Sequence, residues 1–160
     1  MTRRIVMLVA LLLAVLLPPA AGRAGAASVG AGRQVQEPHG ARRVVSLNLC
    51  TDQLAVRLAA PGQLLSVSNW ALKPASSMVV NEVRGLVINH GQAEEILPLK
   101  PDLVLVGDFT NRATVGLLRR LGRDVQEFGT PQDFDGIVAQ VRRMAGLLGR
   151  EAEGERMVAA

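Results

Sequence analysis

The chain has 160 residues, with 18 Lys or Arg against 14 Asp or Glu for a formal charge of +4, and it carries one cysteine. A single cysteine excludes an internal disulfide framework, so stability has to come from a packed core. Four aromatic side chains, Trp70, Phe109, Phe128 and Phe134, are too few for a base-stacking platform, which argues against nucleic acid as a partner.

In chain order, Arg3-Arg4 precedes an apolar run from Ile5 to Leu17, then Pro18-Pro19 and small residues ending at Ala24-Gly25-Ala26-Ala27. This layout predicts a secretory signal peptide over residues 1–26; the apolar run is too short for a membrane span. Two arginines alone are weak grounds for twin-arginine export. Cleavage there removes Arg3, Arg4 and Arg23 and no acid, so 15 basic side chains remain against 14 acidic and the charge falls to about +1. No cysteine stands just after the cleavage site, near Ala27, to take a lipid, so the expectation is a soluble, periplasmic protein. Residues 27–41, without apolar periodicity, read as a flexible lead-in. The remaining length suits one domain with a real core.

From Arg42 strand and helix patterns alternate. Val44 to Leu47 reads as a strand, Thr51 to Ala60 as a helix stopped by Pro61-Gly62, and Leu64 to Val67 as the next strand. Ser68 to Glu82 reads as a loop with one helical turn, Leu86 to Ile88 as a strand and Gln92 to Leu97 as a short helix. Pro98 and Pro101 force the chain out of that helix. Leu103 to Val106, apolar at every position, predicts a strand covered on both faces, as in parallel sheets flanked by helices. A helix over Arg112 to Leu121 stops at Gly122, and Asp124 to Phe128 is a strand. Thr130 as cap, Pro131 at the first helical position and Asp133 at the third open a last helix. Its stripe is Phe134, Ile137, Val138, Val141, Met144, Ala145 and Leu148. If Gly149 only bends it, this helix runs on to Ala160 as a strut, and the expectation is of a truncated chain or a missing partner lobe.

The resulting fold class is α/β, a Rossmann-like parallel-sheet lobe. The residues Arg43-Val44-Val45-Ser46-Leu47, Gly91-Gln92-Ala93-Glu94-Glu95-Ile96 and Leu99-Lys100-Pro101-Asp102-Leu103-Val104-Leu105, with Leu118, Leu121-Gly122, Val125 and the helix from Asp133, resemble a known family. It comprises the periplasmic substrate-binding proteins of ATP-binding-cassette (ABC) importers for cobalamin, ferric siderophores and haem. The resemblance covers about residues 42–160. It implies two α/β lobes joined by a long helix with a metal chelate held between them. Residues 42–132 then form the first lobe and residues 133–160 begin the interlobe helix, with no second lobe in the sequence. It also implies a monomer with no resident cofactor, delivering its chelate to an ABC permease. Glu94 falls at the position where such proteins present a glutamate to permease arginines, with Glu95 as the neighbouring alternative.

Independently of family, ligands of an open parallel sheet sit beyond the carboxyl ends of its strands. This selects Asn48, Leu49, Cys50, Thr51 and Asp52 after the first strand, Ser68, Asn69 and Trp70 after the second, and Asn89, His90 and Gly91 after the third. Asp108, Phe109, Thr110 and Asn111 follow the fourth strand, and Gly129 and Thr130 the fifth. Their amides and hydroxyls suit a bulky polar chelate. The indole of Trp70 can lie against a corrin, porphyrin or catecholate face, or simply pack. His90 is a candidate axial ligand to haem iron or cobalt, or a loop histidine bonding a nearby carbonyl. Cys50 reads as a small buried apolar residue before a thiolate ligand. Glu94 and Glu95 also favour the positive end of their short helix.

Two rivals remain. An enzyme lacks support: the hydrolase, zincin, phosphate-loop and dinucleotide fingerprints are absent, and nothing activates Ser46 or Thr51. A single-lobe extracytoplasmic interaction module explains the length directly.

Overall fold

The computed structural model describes residues 40–160; the expected signal peptide, and the lead-in as far as residue 39, lie outside the described residues. Five strands, β1 (Val44–Ser46), β2 (Leu64–Ser68), β3 (Val87–Asn89), β4 (Leu103–Gly107) and β5 (Val125–Phe128), form one parallel sheet ordered β3-β2-β1-β4-β5. Five helices accompany them: α1 (Leu49–Leu58), α2 (Ala93–Ile96), α3 (Arg112–Arg120), α4 (Phe134–Leu148) and α5 (Glu151–Val158). None of the described helices is long and apolar enough to cross a membrane.

The all-apolar strand does what its composition demands. Every residue of β4 is buried. Leu103 and Leu105 join Val44, Ala55, Leu58, Met144 and Leu148 in one apolar cluster, beneath α1 and α4. Val104 and Val106 join Val45, Ala93, Ile96, Val115 and Leu118 in the other, beneath α2 and α3. Alternate side chains of β4 thus enter opposite cores, and the layers are helix, sheet, helix.

Helix ends depart from the expected boundaries for local reasons. α1 begins ahead of Thr51 because Asn48, in extended conformation, caps it by accepting from the Cys50 N–H at 2.9 Å. α2 runs into a 3-10 turn over Leu97–Leu99, so Pro98 tightens the helix before ending it. Lys100 then takes the left-handed conformation, φ 47°, and the Arg43 guanidinium donates to the freed carbonyls of Leu99 and Lys100. The expected loop after β2 contains its helical turn as a 3-10 segment, Asn69–Leu72. It stands where a crossover helix would be, and it leaves Val87 of β3 48 % exposed.

The last helix is corrected in three ways. Its cap is Asp133, whose Oδ1 accepts from the Gly136 N–H at 2.7 Å, because Thr130 bonds Asp108 instead. Burial starts at Val141; Phe134 and Ile137 are exposed. The strut to Ala160 is two helices, since Gly149 adopts φ 65° and its N–H closes onto Ala145 and Gly146. α5 folds back on α4 so closely that a Cβ on Gly154 would lie 2.5 Å from that of Ala145. Arg142 grips Glu155 with two bonds, at 2.6 and 2.8 Å.

The carboxyl ends of β1, β2 and β3 are pinned by a buried polar cluster around Asp52, which is 0 % exposed. Its carboxylate accepts from the Ser68 N–H at 3.1 Å and lies 2.5 Å from the Ser68 hydroxyl. Ser46 Oγ lies 2.8 Å from Thr51 Oγ1, which donates to the Asn48 carbonyl. Asn89 Nδ2 donates to the Ser46 carbonyl and to Ser66 Oγ. Burial pushes the Asp52 carboxyl up to about 6, and hydrogen bonds from Ser46 and Ser68 only partly offset it.

Two outcomes follow from this frame. A Cβ on Gly107 would lie 2.6 Å from Asn48 Cγ, so Gly107→Ala should displace the α1 cap and cost about 1–2 kcal/mol in urea denaturation. The same change should cost clearly less in an Asn48→Ala background, and equal losses in both would refute the collision. Asp52 binds its proton more tightly folded than unfolded, so its contribution is full below the ordinary value of 3.8 and is lost as pH rises through about 6. The stability of the native chain relative to Asp52→Asn should therefore fall by about 3 kcal/mol between acid and neutral pH. Parallel stability curves for the two proteins would contradict this.

Candidate functional site

The chain order places the site. From β1 it runs outward through β2 to β3, then returns to the other side of β1 with β4 and β5. The loops after β1 and β4 therefore leave in opposite directions and open a crevice at the carboxyl edge. Gly107, at the end of β4, permits the close approach to Asn48 that forms its floor.

Two adjoining hollows occupy this edge. One, of about 170 Å³, is lined by Leu47, Ser68, Asn69, Trp70, His90, Gly91, Gln92, Phe109, Thr110 and Asn111. A smaller one, of about 80 Å³, is lined by Asn48, Cys50, Gly107, Asp108, Phe109, Phe128, Gly129, Thr130 and Pro131. Phe109 is the wall between them and is 90 % exposed; Trp70, across the larger hollow, is 57 % exposed. Leaving two large aromatic faces in water is costly, and their shared position at one cleft fits a planar or bulky apolar ligand.

A larger cavity, about 290 Å³, lies at the opposite, amino-terminal edge between residues 41–42, 60–63 and 148–150. Its polar centre is already spoken for. Gln63 donates to the carbonyls of Ala41 and Leu148 and accepts from the Ala60 N–H. The carboxyl-edge crevice is the better candidate on chemistry despite its smaller volume.

The expected site residues divide into rim and foundation. Trp70, His90, Asn69, Phe109, Thr110 and Asn111 meet in the larger hollow, and Asn48, Cys50, Asp108 and Thr130 in the smaller. Thr51, Asp52 and Asn89 are buried beneath the rim with their polar atoms committed to one another's segments, so they support the crevice from below. Several rim groups also hold the backbone: Asn111 caps α3, Asp108 Oδ2 accepts from Thr130, and Thr110 Oγ1 accepts from the Gly107 N–H. Cys50, expected to be buried, is exposed, because α1 starts at Leu49 and turns its side chain outward. Arg112, beside the rim, is paired with Glu127 at 2.6 Å.

His90 departs from the carbonyl-bonded alternative. Its Nδ1 lies 2.9 Å from Glu95 Oε1, while Glu95 Oε2 accepts from the His90 N–H at 2.7 Å and from Gln92 at 3.4 Å. The His90 backbone N–H, with the His90 ring second, holds the Glu95 carboxyl below its ordinary value. Glu95 is thereby locked into the capping box of α2, whereas Glu94 is exposed and pairs with no described residue. Gln92, Leu47, Phe128 and Pro131 also line the crevice without having been singled out. Gln92 was legible as the residue before α2; Leu47 and Phe128 were hidden by their strand composition.

No curated protein matches the chain. Among solved structures, a periplasmic heme binding protein from Pseudomonas aeruginosa superposes with a TM-score of 0.61 at 19 % identity, over 74 % of this chain and 42 % of its own. The vitamin B12 binding protein of Vibrio cholerae gives 0.59 at 24 %, over 74 % and 46 %. A periplasmic heme-binding protein from Roseiflexus sp. RS-1 gives 0.59 at 25 %, over 75 % and 46 %. The chain therefore spans less than half the length of these structures. The sequence profile described as Periplasmic binding protein matches residues 44–160, all five strands and the helices between and after them, and the chain accordingly belongs to the periplasmic binding protein family.

Proposed function

We propose that this lobe captures a metal chelate, a haem, cobalamin or ferric siderophore, outside the cytoplasm and delivers it to the permease of an ABC importer. The observation that carries the reading is the pair of exposed aromatic faces, Trp70 and Phe109, on either side of the larger hollow at the carboxyl edge of a parallel sheet. Flat or bulky coordination compounds offer the surface such faces need, and Asn69, Thr110 and Asn111 supply partners for a polar ligand rim. Solved structures of the same fold that are named for heme or vitamin B12 favour this ligand class.

His90 supports a metal-centred ligand more specifically. A carboxylate on one imidazole nitrogen fixes ring orientation and raises the basicity of the other, the arrangement usual behind metal-ligating histidines. Glu95 occupies that position on Nδ1, which leaves Nε2 for an iron or cobalt. Binding rather than catalysis suits the hydroxyls as well, since Ser46 and Thr51 are buried and bonded to each other. Glu94, exposed at the first turn of α2, is assigned to the permease, with Glu95 retained for the histidine. The protein acts as a monomer in the periplasm.

Titrating the full chain with haemin, cyanocobalamin and a ferric catecholate should quench the emission of Trp70, the only tryptophan, with at least one of them. Trp70→Ala should weaken that ligand by about tenfold. Binding without quenching, or no binding by any of the three, would sink the assignment. Glu94→Lys should abolish uptake in cells while leaving chelate affinity unchanged; a fall in affinity would instead place Glu94 in the ligand site.

A further inference from the structure

The rim of the crevice stands on a buried hydrogen-bond system of Ser46, Thr51, Ser68, Asn89 and Asp52, of which Asp52 is the ionisable member. Thr51 and Ser46 carry one hydroxyl proton each. Thr51 Oγ1 lies within bonding distance of both the Asn48 carbonyl and Ser46 Oγ. Ser46 is also one of the hydroxyls that hold the Asp52 carboxyl below where burial alone would put it. Both ends of this system reach the rim. Asn48 lines the smaller hollow, and Ser68, held by Asp52 through its N–H and hydroxyl, is the residue from which the Asn69–Leu72 turn carrying Trp70 departs.

We propose that Asp52 is the positioning residue of the ligand crevice, its carboxylate fixing the Ser68 end of β2 and through it the placement of Trp70, so that the charge on Asp52 sets how firmly the crevice holds its ligand. The inference rests on the chelate-capture reading for its consequence but not for its mechanism. Hydrogen bonds to an ionised carboxylate are roughly twice as strong as neutral ones, so the Trp70 turn is held more tightly with Asp52 charged. The groups that face Asp52 are neutral: Ser46 from β1, Ser68 from β2 and, on its own helix, Thr51. The nearby Asn89 of β3, bonded to the Ser46 carbonyl and Ser66, is neutral as well. No charged side chain of the described residues bonds to Asp52, so the carboxyl itself is the variable element.

Trp70 reports its own placement without any ligand. Acrylamide quenching of Trp70 is measured on the full chain in a His90→Gln background, which removes the imidazole of the crevice from the signal. The quenching constant should rise by about twofold as pH falls from about 7 to about 5. Asp52→Asn, of the same shape but uncharged, should show the high value throughout. A flat profile in the parent protein, or an unchanged pH response in Asp52→Asn, overturns the proposal. Ser68→Ala keeps Asp52 and removes one donor to its carboxylate, so the midpoint of the transition should move to higher pH; an unmoved midpoint is equally fatal. At neutral pH, Asp52→Asn should bind whichever of haemin, cyanocobalamin and the ferric catecholate the native chain takes about tenfold more weakly than the native chain does, and equal affinities would refute the consequence for capture. If the native chain binds none of haemin, cyanocobalamin and the ferric catecholate, the chelate reading falls, while the quenching profile still decides the role of Asp52.

Discussion

The pairing of β1 with β4 is the constraint on which the structure depends. Val44, Val45 and Ser46 stand in register with Leu103, Val104 and Leu105, and all six are buried. Because the two strands are covered from both faces, their side chains feed both apolar clusters at once, and neither core can form without them. The same pairing is where the chain changes direction across the sheet, so it also determines where the crevice opens. Core and binding edge are consequences of one register. The Asp102 carboxylate ties the amino-terminal end of that register, accepting from the backbone N–H groups of Arg42 and Arg43 at 2.9 Å each.

Above the carboxyl ends of these strands the molecule is built in two tiers. The lower tier is polar but dry: Ser46, Thr51, Asp52, Ser66, Ser68 and Asn89 satisfy one another inside the protein. The upper tier is apolar but wet, with Trp70 and Phe109 exposed. This inverts the usual distribution of polarity with depth, and both halves of the inversion cost free energy. A buried polar network fixes geometry more sharply than apolar packing does, because its bonds are directional. Exposed aromatic faces are what the proposed chelate would cover. The inversion is intelligible as a rigid seat beneath an adhesive surface.

Much of this was legible in the sequence, and the omissions have physical causes. The run Leu103 to Val106 announced a doubly covered strand because no other environment tolerates four consecutive aliphatic residues so well. Strand ends then indicated the rim, and Trp70, His90 and Phe109 meet there. Asp52 was selected for the right neighbourhood and the wrong tier: an acid near a helix start reads as surface, and nothing in its spacing shows that Ser68 will close over it. Thr130 read as the cap of the last helix and Asp133 caps it instead, because Thr130 is taken by Asp108, distant in sequence. Gly149 was ambiguous for the same kind of reason. A glycine within an apolar periodicity can bend a helix or end it, and here the packing of Gly154 on Ala145 selects the ending.

The irregular segment between β2 and β3 has a cost at the margin of the sheet. β3 ends the strand order and is an edge strand, and with a 3-10 turn and loops where a covering helix would lie its Val87 faces water. Such an edge offers free amides and carbonyls to any other extended chain. Here the hazard is limited by length: three residues separate Gly85-Leu86 from His90-Gly91, and both glycines turn the backbone into positive φ. A passing strand finds too short a ladder to hold, so brevity protects the margin from self-association where bulk does not.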